Sequence, residues 1–280
     1  MKNLITRTLT GIVFLIVLVG CIVWNKYAAA GLFYVVAMLG FTEFLKLMSL
    51  GGFKPEKLIA YTSATVVYWI IALNRFAIIN DHFLILIFPL LVSIVVVELF
   101  RKSEFPVSNI SFSIMGILYI ICPLATLNFF THHSIFDSYI GMNNSSVNIL
   151  LGFFIILWSN DTGAYLFGSV LGKNKLFERV SPNKTWEGFF GGVLLAFLAA
   201  YIFSYFTESS SIHWISIASI IVVFGTLGDL TESQIKRSCG VKDSGNLLPG
   251  HGGVLDRFDG VLFAAPFVLT YLLIISGFNA

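Results

Sequence analysis

Residues His213–Leu230 read HWISIASIIVVFGTLGDL, an apolar run whose one charged side chain, Asp229, comes at its end. A polar stretch, DLTESQIKRSCGVKDSGNLLPGHGGVLDRFD, begins at the end of this run and extends over Asp229–Asp259. These 31 residues contain five of the chain's 15 acidic residues and four of its 17 basic ones. Charge is costly beside a lipid bilayer, so a charged cluster that adjoins apolar helices predicts a functional site.

The composition outside this stretch is that of a membrane protein. The chain is 57% hydrophobic and 11% charged, with a mean hydropathy of +0.87, whereas soluble domains are about 25% charged. Lipid offers no partners to backbone groups, and the alternation typical of barrel strands is absent, so we predict an all-α polytopic integral membrane protein. About nine segments are long enough to span a bilayer: Leu4–Trp24, Tyr27–Leu50, Leu58–Asn74, His82–Phe100, Ile110–Phe130, Val147–Leu171, Trp186–Phe206, His213–Leu230 and Val254–Phe278.

The basic residues predict the orientation of these spans. With the N-terminus in the cytoplasm, 15 of the 17 Lys and Arg residues fall on the inside, and only Lys26 and Arg75 fall outside. This distribution follows the positive-inside rule and places the C-terminus outside. We therefore expect a multi-pass protein of the cell membrane, the inner membrane in a bacterium. A net charge of +2 argues against nucleic acid as a partner.

The expected organisation is an N-terminal region of about five transmembrane helices, residues 1–146, followed by a catalytic region of about four, residues 147–280.

Three scattered cysteines give no disulfide framework. Leu18–Cys21 looks like a lipoprotein cleavage box, but the next span follows too closely for a tethered soluble domain. His132 and His133 lie near Asp137 and could bind a metal, although a solvated loop explains them better.

Several carboxylates are expected at one depth near the cytoplasmic surface. Asp161 lies about 21 Å along the sixth span and Asp229 about 24 Å along the eighth, at about 1.5 Å per residue. Both depths are in the cytoplasmic third of a core about 30 Å thick. Glu187 opens the seventh span from the inside, and Asp256 and Asp259 open the ninth.

Helical spacing divides the polar stretch into faces. If the eighth span continues past the interface, residues at i, i+3, i+4 and i+7 share one face: Asp229, Glu232, Ser233 and Lys236. Asp256 and Asp259 share a face of the ninth span. Such carboxylate pairs suit Mg²⁺, which prefers oxygen ligands and often retains substrate phosphates. The alternative is that the carboxylates form structural ion pairs with the nearby cations, Lys236, Arg237, Lys242 and Arg257.

The segment Lys242–Gly253 is rich in glycine and lies between the two acidic faces. Backbone N–H groups of Gly252 and Gly253, directly before a helix, can approach phosphate oxygens closely. His251 could donate a hydrogen bond to a phosphate or could be an ordinary loop histidine. A glycine-rich loop is weak evidence alone, and its acidic and basic flanks strengthen it.

A second polar segment, Ser181–Gly188, opens the seventh span. Ser181 or Thr185 could cap that helix, and Glu187 suits its first turn. Capping does not explain Lys184, because a cation is unfavourable at a helix N-terminus. A bound anion would explain it.

These residues resemble a known family, the phosphatidate cytidylyltransferases or CDP-diacylglycerol synthases. The family's signature corresponds to a 27-residue pattern whose fixed positions are here Ser233, Ile235, Lys236, Arg237, Lys242, Asp243, Gly245, Leu248, Pro249, His251, Gly252, Gly253, Val254, Asp256, Arg257, Phe258 and Asp259. Asn160–Tyr165 and Ser181–Gly188 look like the family's other polar motifs. Asn183 departs from the pattern, since many members have lysine there. The similarity is firm from about Leu151 to Gly260.

The resemblance implies that CTP and phosphatidic acid, a membrane lipid, react to give CDP-diacylglycerol and pyrophosphate. Asp229, Asp256 and Asp259 are the expected Mg²⁺ ligands, and a second cation, which could be monovalent, is also implied. The catalytic residues are expected to be Asp229, Asp256, Lys236 and Arg257; the substrate-binding residues are Ser181, Lys184, Ser233, Arg237, Lys242, His251, Gly252 and Gly253; the second choices are Asp161, Glu187, Glu232 and Asp243.

The sequence is also compatible with other functions and leaves the oligomeric state undetermined. A homodimer is expected by resemblance alone. The rival functions are a CTP-dependent polyprenol or lipid kinase and, less favoured, a membrane transporter, whose sites lie near the midplane on broken helices. A CDP-alcohol phosphatidyltransferase lacks support because its motif is absent.

Overall fold

The computed structural model describes residues 2–131, 136–141, 149–245 and 252–278, with side chains from residue 10 to residue 277 of these ranges. The helices are α1 (Lys2–Trp24), α2 (Lys26–Leu50), α3 (Lys57–Arg75), α4 (Ile87–Phe100), α5 (Pro106–Gly116), α6 (Cys122–Thr126), α7 (Ile149–Leu171), α8 (Trp186–Phe206), α9 (Ser211–Ser238) and α10 (Leu255–Phe278). Two antiparallel strands, β1 (Lys175–Phe177) and β2 (Ser181–Thr185), precede α8. His132, His133 and His251 lie outside the described residues.

Short irregular helices extend two of these elements. A 3₁₀ segment, Asp81–Leu86, leads into α4. A π-helical segment, Ile117–Ile121, joins α5 to α6, and a 3₁₀ segment, Leu127–Phe130, follows α6. Pro106–Phe130 is therefore one long helical run with a local change of hydrogen-bond pattern.

The predicted all-α polytopic membrane fold is confirmed. Eight helical segments of the described chain are long and apolar enough to cross a bilayer: Lys26–Leu50, Lys57–Arg75, Asp81–Phe100, Pro106–Phe130, Ile149–Leu171, Trp186–Phe206, Ser211–Ser238 and Leu255–Gly277. Thr10–Trp24 of α1, a shorter apolar helix, corresponds to the first predicted span. The sidedness of the termini stays a prediction.

α9 differs most from its predicted span, because it continues to Ser238 rather than ending at Leu230. Because the helix continues past Leu230, Asp229, Glu232, Ser233 and Lys236 lie on one helical face, as predicted. β1 and β2 were not expected from the sequence, since strands of three and five residues are too short to show a period.

Packing divides the chain into two compact units that do not follow chain order. Unit 1 comprises Met1–Asn128 and Ile235–Phe258, and unit 2 comprises Phe129–Gln234 and Asp259–Ala280. α9 and α10 each contribute residues to both units. The predicted boundary at residue 146 stays a prediction.

The interior of unit 1 is aromatic. Phe33, Phe41, Phe44 and Tyr68 are fully buried. A Cβ at Gly116 would lie 2.5 Å from the ring of Phe41, so this glycine permits α5 to approach α2 closely. A buried polar network, made by Glu98 with Arg101, Ser103 and Asn109, fastens the segment after α4.

Glycines bring α7 and α8 together in unit 2. A Cβ at Gly163 would lie 2.9 Å from the carbonyl carbon of Gly191 and closer to its oxygen, and a Cβ at Gly188 would lie 2.8 Å from the carbonyl oxygen of Ala164. Small residues allow close contact between membrane helices, where van der Waals packing replaces the hydrophobic effect.

We predict that Gly163→Ala lowers the melting temperature of the purified protein in detergent. The added methyl group has no space at Gly163, and overpacking costs about 1–3 kcal/mol. Gly31→Ala is the matched control, because a Cβ there has no neighbour within 4 Å. Equal melting temperatures of the two variants would contradict the close contact of α7 and α8.

Candidate functional site

Three carboxylates of unit 2 form a cluster, here called the carboxylate cluster: Asp229, Glu232 and Asp259. One oxygen of each lies within 4.8 Å of the others. Asp229 and Glu232 are one turn apart on α9, and Asp259 is on α10. Glu232 is buried, with 1% of its surface exposed. Like charges this close repel one another, so the arrangement favours a cation among them.

A glycine allows the two helices of the carboxylate cluster to approach. A Cβ at Gly228 would lie 3.2 Å from the carbonyl carbon of Asp259 and closer to its oxygen. Asp161, from α7, interacts electrostatically with Asp259. Of the five carboxylates predicted to meet at one depth, Asp229 and Asp259 are therefore neighbours within unit 2, and Glu232, a second choice, is the third member of the cluster. The common depth of the five stays a prediction.

Lys184 contacts the carboxylate cluster directly. Its Nζ lies 2.5 Å from Oδ2 of Asp229, and Ser233 Oγ donates to Oδ1 of the same carboxylate at 3.3 Å. Lys184 is on β2, one residue before Thr185, whose Oγ1 accepts a hydrogen bond from Gly188 N and caps α8. The sequence predicted an anion beside Lys184, and in the structure that anion is the carboxylate of Asp229.

Glu187 lies in the first turn of α8, as predicted, and joins that turn to the end of α7. Its carboxylate accepts hydrogen bonds from the backbone of Lys173 and Asn174, each at 3.2 Å, and from Asn174 Nδ2 at 2.7 Å. These contacts hold the chain that leaves α7 against the first turn of α8. Ser181, by contrast, begins β2 and pairs in register with Phe177.

A second polar group lies in unit 1 and centres on Asp256. Oδ1 accepts a hydrogen bond from Lys236 Nζ at 2.5 Å. Oδ2 accepts from Ser244 N at 3.1 Å, Ser244 Oγ at 3.0 Å and Gly253 N at 2.8 Å. Lys236 is 8% exposed. Both oxygens of Asp256 are therefore occupied by donors, and its role as a metal ligand stays a prediction.

The carboxylate of Asp256 lies against the two glycines that precede α10, Gly252 and Gly253. Gly252 has φ +82, which favours glycine, and a Cβ there would lie 2.9 Å from Asp256 Oδ2. The two glycines predicted to approach phosphate thus also approach a carboxylate. The rest of the predicted residues are at the surface: Lys242, Asp243 and Arg257 are exposed, and Arg237 donates to the carbonyl of Val241 at 3.2 Å.

Sequence analysis did not single out Glu43 of α2. This residue is 5% exposed, and its carboxylate accepts hydrogen bonds from Val254 N, Leu255 N and Ser244 Oγ. A usable signal was present, since Glu43 is an acidic residue inside an apolar span. It was overlooked because it lies some 200 residues before the signature.

The fold and these side chains define a polytopic membrane protein with a group of carboxylates able to hold a metal ion. The chain belongs to the cytidylyltransferase family, whose profile matches residues 5–275. It is a nucleotidyltransferase. The resemblance inferred from the signature is confirmed, and the match extends over the N-terminal helices, beyond the segment Leu151–Gly260 in which the sequence similarity was firm.

Curated relatives match over nearly their whole length. A phosphatidate cytidylyltransferase of Staphylococcus epidermidis is 32% identical over 277 residues, which cover 96% of this chain and 98% of the relative. One from Staphylococcus aureus is 32% identical over 279 residues, covering 96% and 99%. One from Staphylococcus haemolyticus is 31% identical over 277 residues, covering 96% and 98%.

We predict that Lys184→Met lowers the melting temperature in the absence of divalent ions and enlarges the increase produced by Mg²⁺. Removing the ammonium group leaves more uncompensated negative charge in the carboxylate cluster. The pair is partly exposed, so the loss should be about 1 kcal/mol or less, or a few degrees. Thermal denaturation with and without Mg²⁺ measures both effects.

Lys175→Met is the control for this experiment, because Lys175 is an exposed lysine on the neighbouring strand β1. If both variants responded to Mg²⁺ as the unmodified protein does, the proposed link between Lys184 and the carboxylate cluster would be wrong.

Proposed function

We propose that this protein transfers CMP from CTP to phosphatidic acid, which gives CDP-diacylglycerol and pyrophosphate. The observation that carries the proposal is the similarity, over 96% of the chain, to proteins named phosphatidate cytidylyltransferase. The carboxylate cluster beside Lys184 supports it, because a nucleotidyl transfer needs both cation ligands and cationic groups near phosphates.

The reaction needs little acid–base chemistry. A phosphate oxygen of the lipid attacks the α-phosphorus of CTP, a new P–O bond forms, and the bond from the α-phosphorus to the bridging oxygen breaks as pyrophosphate leaves. The attacking oxygen is already anionic near neutral pH, so no strong general base is required. The main barrier is charge crowding between two anions, which positioned cations and donors relieve.

The residues of the carboxylate cluster fit Mg²⁺, because they bring oxygen ligands from three side chains within 4.8 Å of one another. Asp229, Glu232 and Asp259 would hold the ion, and the predicted part of Asp256 in metal binding is kept as a separate proposal. Bound there, Mg²⁺ would neutralise charge on the triphosphate and on the departing pyrophosphate. The second cation implied by the family resemblance is part of the proposal.

The basic side chains would bind and orient the phosphates. Lys184, which pairs with the carboxylate of Asp229, would contact a substrate phosphate, since an ammonium group binds either kind of oxyanion. Lys236, held by Asp256, would present its ammonium group in a fixed direction. The other proposed phosphate contacts are Ser181, Ser233, Arg237, Lys242, His251, Gly252, Gly253 and Arg257.

The proposed site faces the cytoplasm, where CTP is found. Support comes from the 15 of 17 basic residues that fall on one side when the predicted spans alternate. The lipid headgroup would enter from the adjoining leaflet.

The test of the proposed function is a product assay on purified protein with CTP, Mg²⁺ and phosphatidic acid. Mass spectrometry of the lipid fraction should show CDP-diacylglycerol, with pyrophosphate in solution. Release of CDP, with a newly phosphorylated lipid when a polyprenol or diacylglycerol is supplied, would favour the lipid kinase and refute the proposal.

The Asp256→Asn variant tests whether Asp256 takes part in the reaction and whether it binds the metal. We predict that it lowers kcat by about 10²-fold or more, the usual scale for losing a group that stabilises charge in the transition state. If Asp256 binds the metal, the Mg²⁺ concentration for half-maximal rate also rises. Glu104→Gln, at an exposed position, is the control. Intact transfer with unchanged Mg²⁺ dependence would refute any role of Asp256 at the site.

A further inference from the structure

Glu43 is a buried carboxylate, and its hydrogen-bond donors among the described residues belong to the signature. Oε1 accepts a hydrogen bond from Val254 N at 3.0 Å, and Oε2 accepts from Leu255 N at 2.9 Å and Ser244 Oγ at 3.1 Å. α10 begins at Leu255, so two of these donors are N–H groups that no helix bond satisfies. A carboxylate from another helix therefore caps α10 and complements its dipole.

The same carboxylate shapes the backbone on both sides of residues 246–251. A Cβ at Gly245 would lie 2.6 Å from Oε1 of Glu43, and a Cβ at Gly253 would lie 2.5 Å from Oε2. In this chain both positions need a residue without a Cβ, because Glu43 occupies the space that a side chain would fill. One group thus fixes the chain at both ends of the segment.

Ser244 connects Glu43 to Asp256. Its Oγ lies 3.1 Å from Glu43 Oε2 and 3.0 Å from Asp256 Oδ2, and its backbone N–H donates to Asp256. Asp256 in turn binds Lys236. A continuous path of polar contacts therefore runs from α2 through the signature segment to a lysine of α9.

Burying a carboxylate within a membrane helix is costly unless donors surround it. Glu98, in the same unit, is a buried carboxylate whose contacts serve only to hold the fold. It is 2% exposed and is bound by Arg101, Ser103 and Asn109, which all belong to the adjoining segment of the chain. Glu43 differs because its donors come from the segment that carries Asp256.

We propose that Glu43 is a positioning residue for nucleotidyl transfer. It holds Ser244 and the start of α10 so that Asp256 and Lys236 keep the geometry that the reaction requires. Glu43 acts through these residues and does not touch substrate. The inference rests on the proposed function of the signature residues.

The test compares Glu43→Gln with Glu98→Gln in the full-length protein. Glutamine keeps the shape but presents an NH₂ group to at least one donor, which breaks part of the cap. Glu43→Gln should lower kcat by about 10- to 100-fold at temperatures well below melting, as small misplacements of reacting groups do. Glu98→Gln should lower the melting temperature without changing kcat per folded molecule.

A double-mutant cycle with Ser244→Ala adds a readout that a purely structural role would not give. Because Glu43 acts partly through Ser244, the double variant should lose about as much activity as Glu43→Gln alone. Multiplied losses would indicate independent roles and overturn the inference. If Glu43→Gln fails to fold, Ser244→Ala alone should still lower kcat without a matching loss of stability, and unchanged kcat would overturn the inference.

The activity of the wild-type protein separates failure of this inference from failure of the proposed function, and hydrogen exchange tests the contacts themselves. An inactive wild-type protein would refute the proposed function, whereas an active wild type with an unimpaired Glu43→Gln variant would refute the positioning role. In either case the Val254 and Leu255 amides should exchange faster in Glu43→Gln than in Glu98→Gln. Equal exchange would contradict the contacts on which the inference stands.

Discussion

Negative charge next to a bilayer has to be balanced, and most of the polar architecture follows from this constraint. Asp229 is paired with Lys184, and Asp256 is paired with Lys236 and surrounded by backbone donors. Glu43 is satisfied by the first N–H groups of α10. The pair with Lys184 balances only part of the carboxylate cluster, because Asp229 lies there beside Glu232 and Asp259. The remaining negative charge is what a bound cation would balance.

The sequence predicted the fold well because hydropathy and span length directly reflect the lipid environment. It also predicted a shared polar face if the eighth span continues past the interface, and α9 does continue to Ser238. The same geometric count predicted that Asp229 and Asp259 lie near one another, and both belong to the carboxylate cluster. These successes depend on regular helices, whose period and rise are fixed by the backbone.

Contacts between distant segments could not be predicted in this way. Glu43 meets Val254 through tertiary packing, which leaves no local pattern in the sequence. The strands β1 and β2 are too short to have a period. The hydrogen bonds of Asp256 could not be predicted either, because its donors Lys236, Ser244 and Gly253 are brought together by tertiary packing.

The central claim is that Asp229, Glu232 and Asp259 hold a divalent cation. Electron paramagnetic resonance during titration with Mn²⁺, which accepts the same oxygen ligands as Mg²⁺, tests it directly. The account predicts a tight Mn²⁺ site in the unmodified protein and binding at least about 100-fold weaker in the Asp229→Asn, Asp259→Asn double variant, beyond the loss from removing an outer-shell partner. Unchanged Mn²⁺ affinity in the double variant would contradict it.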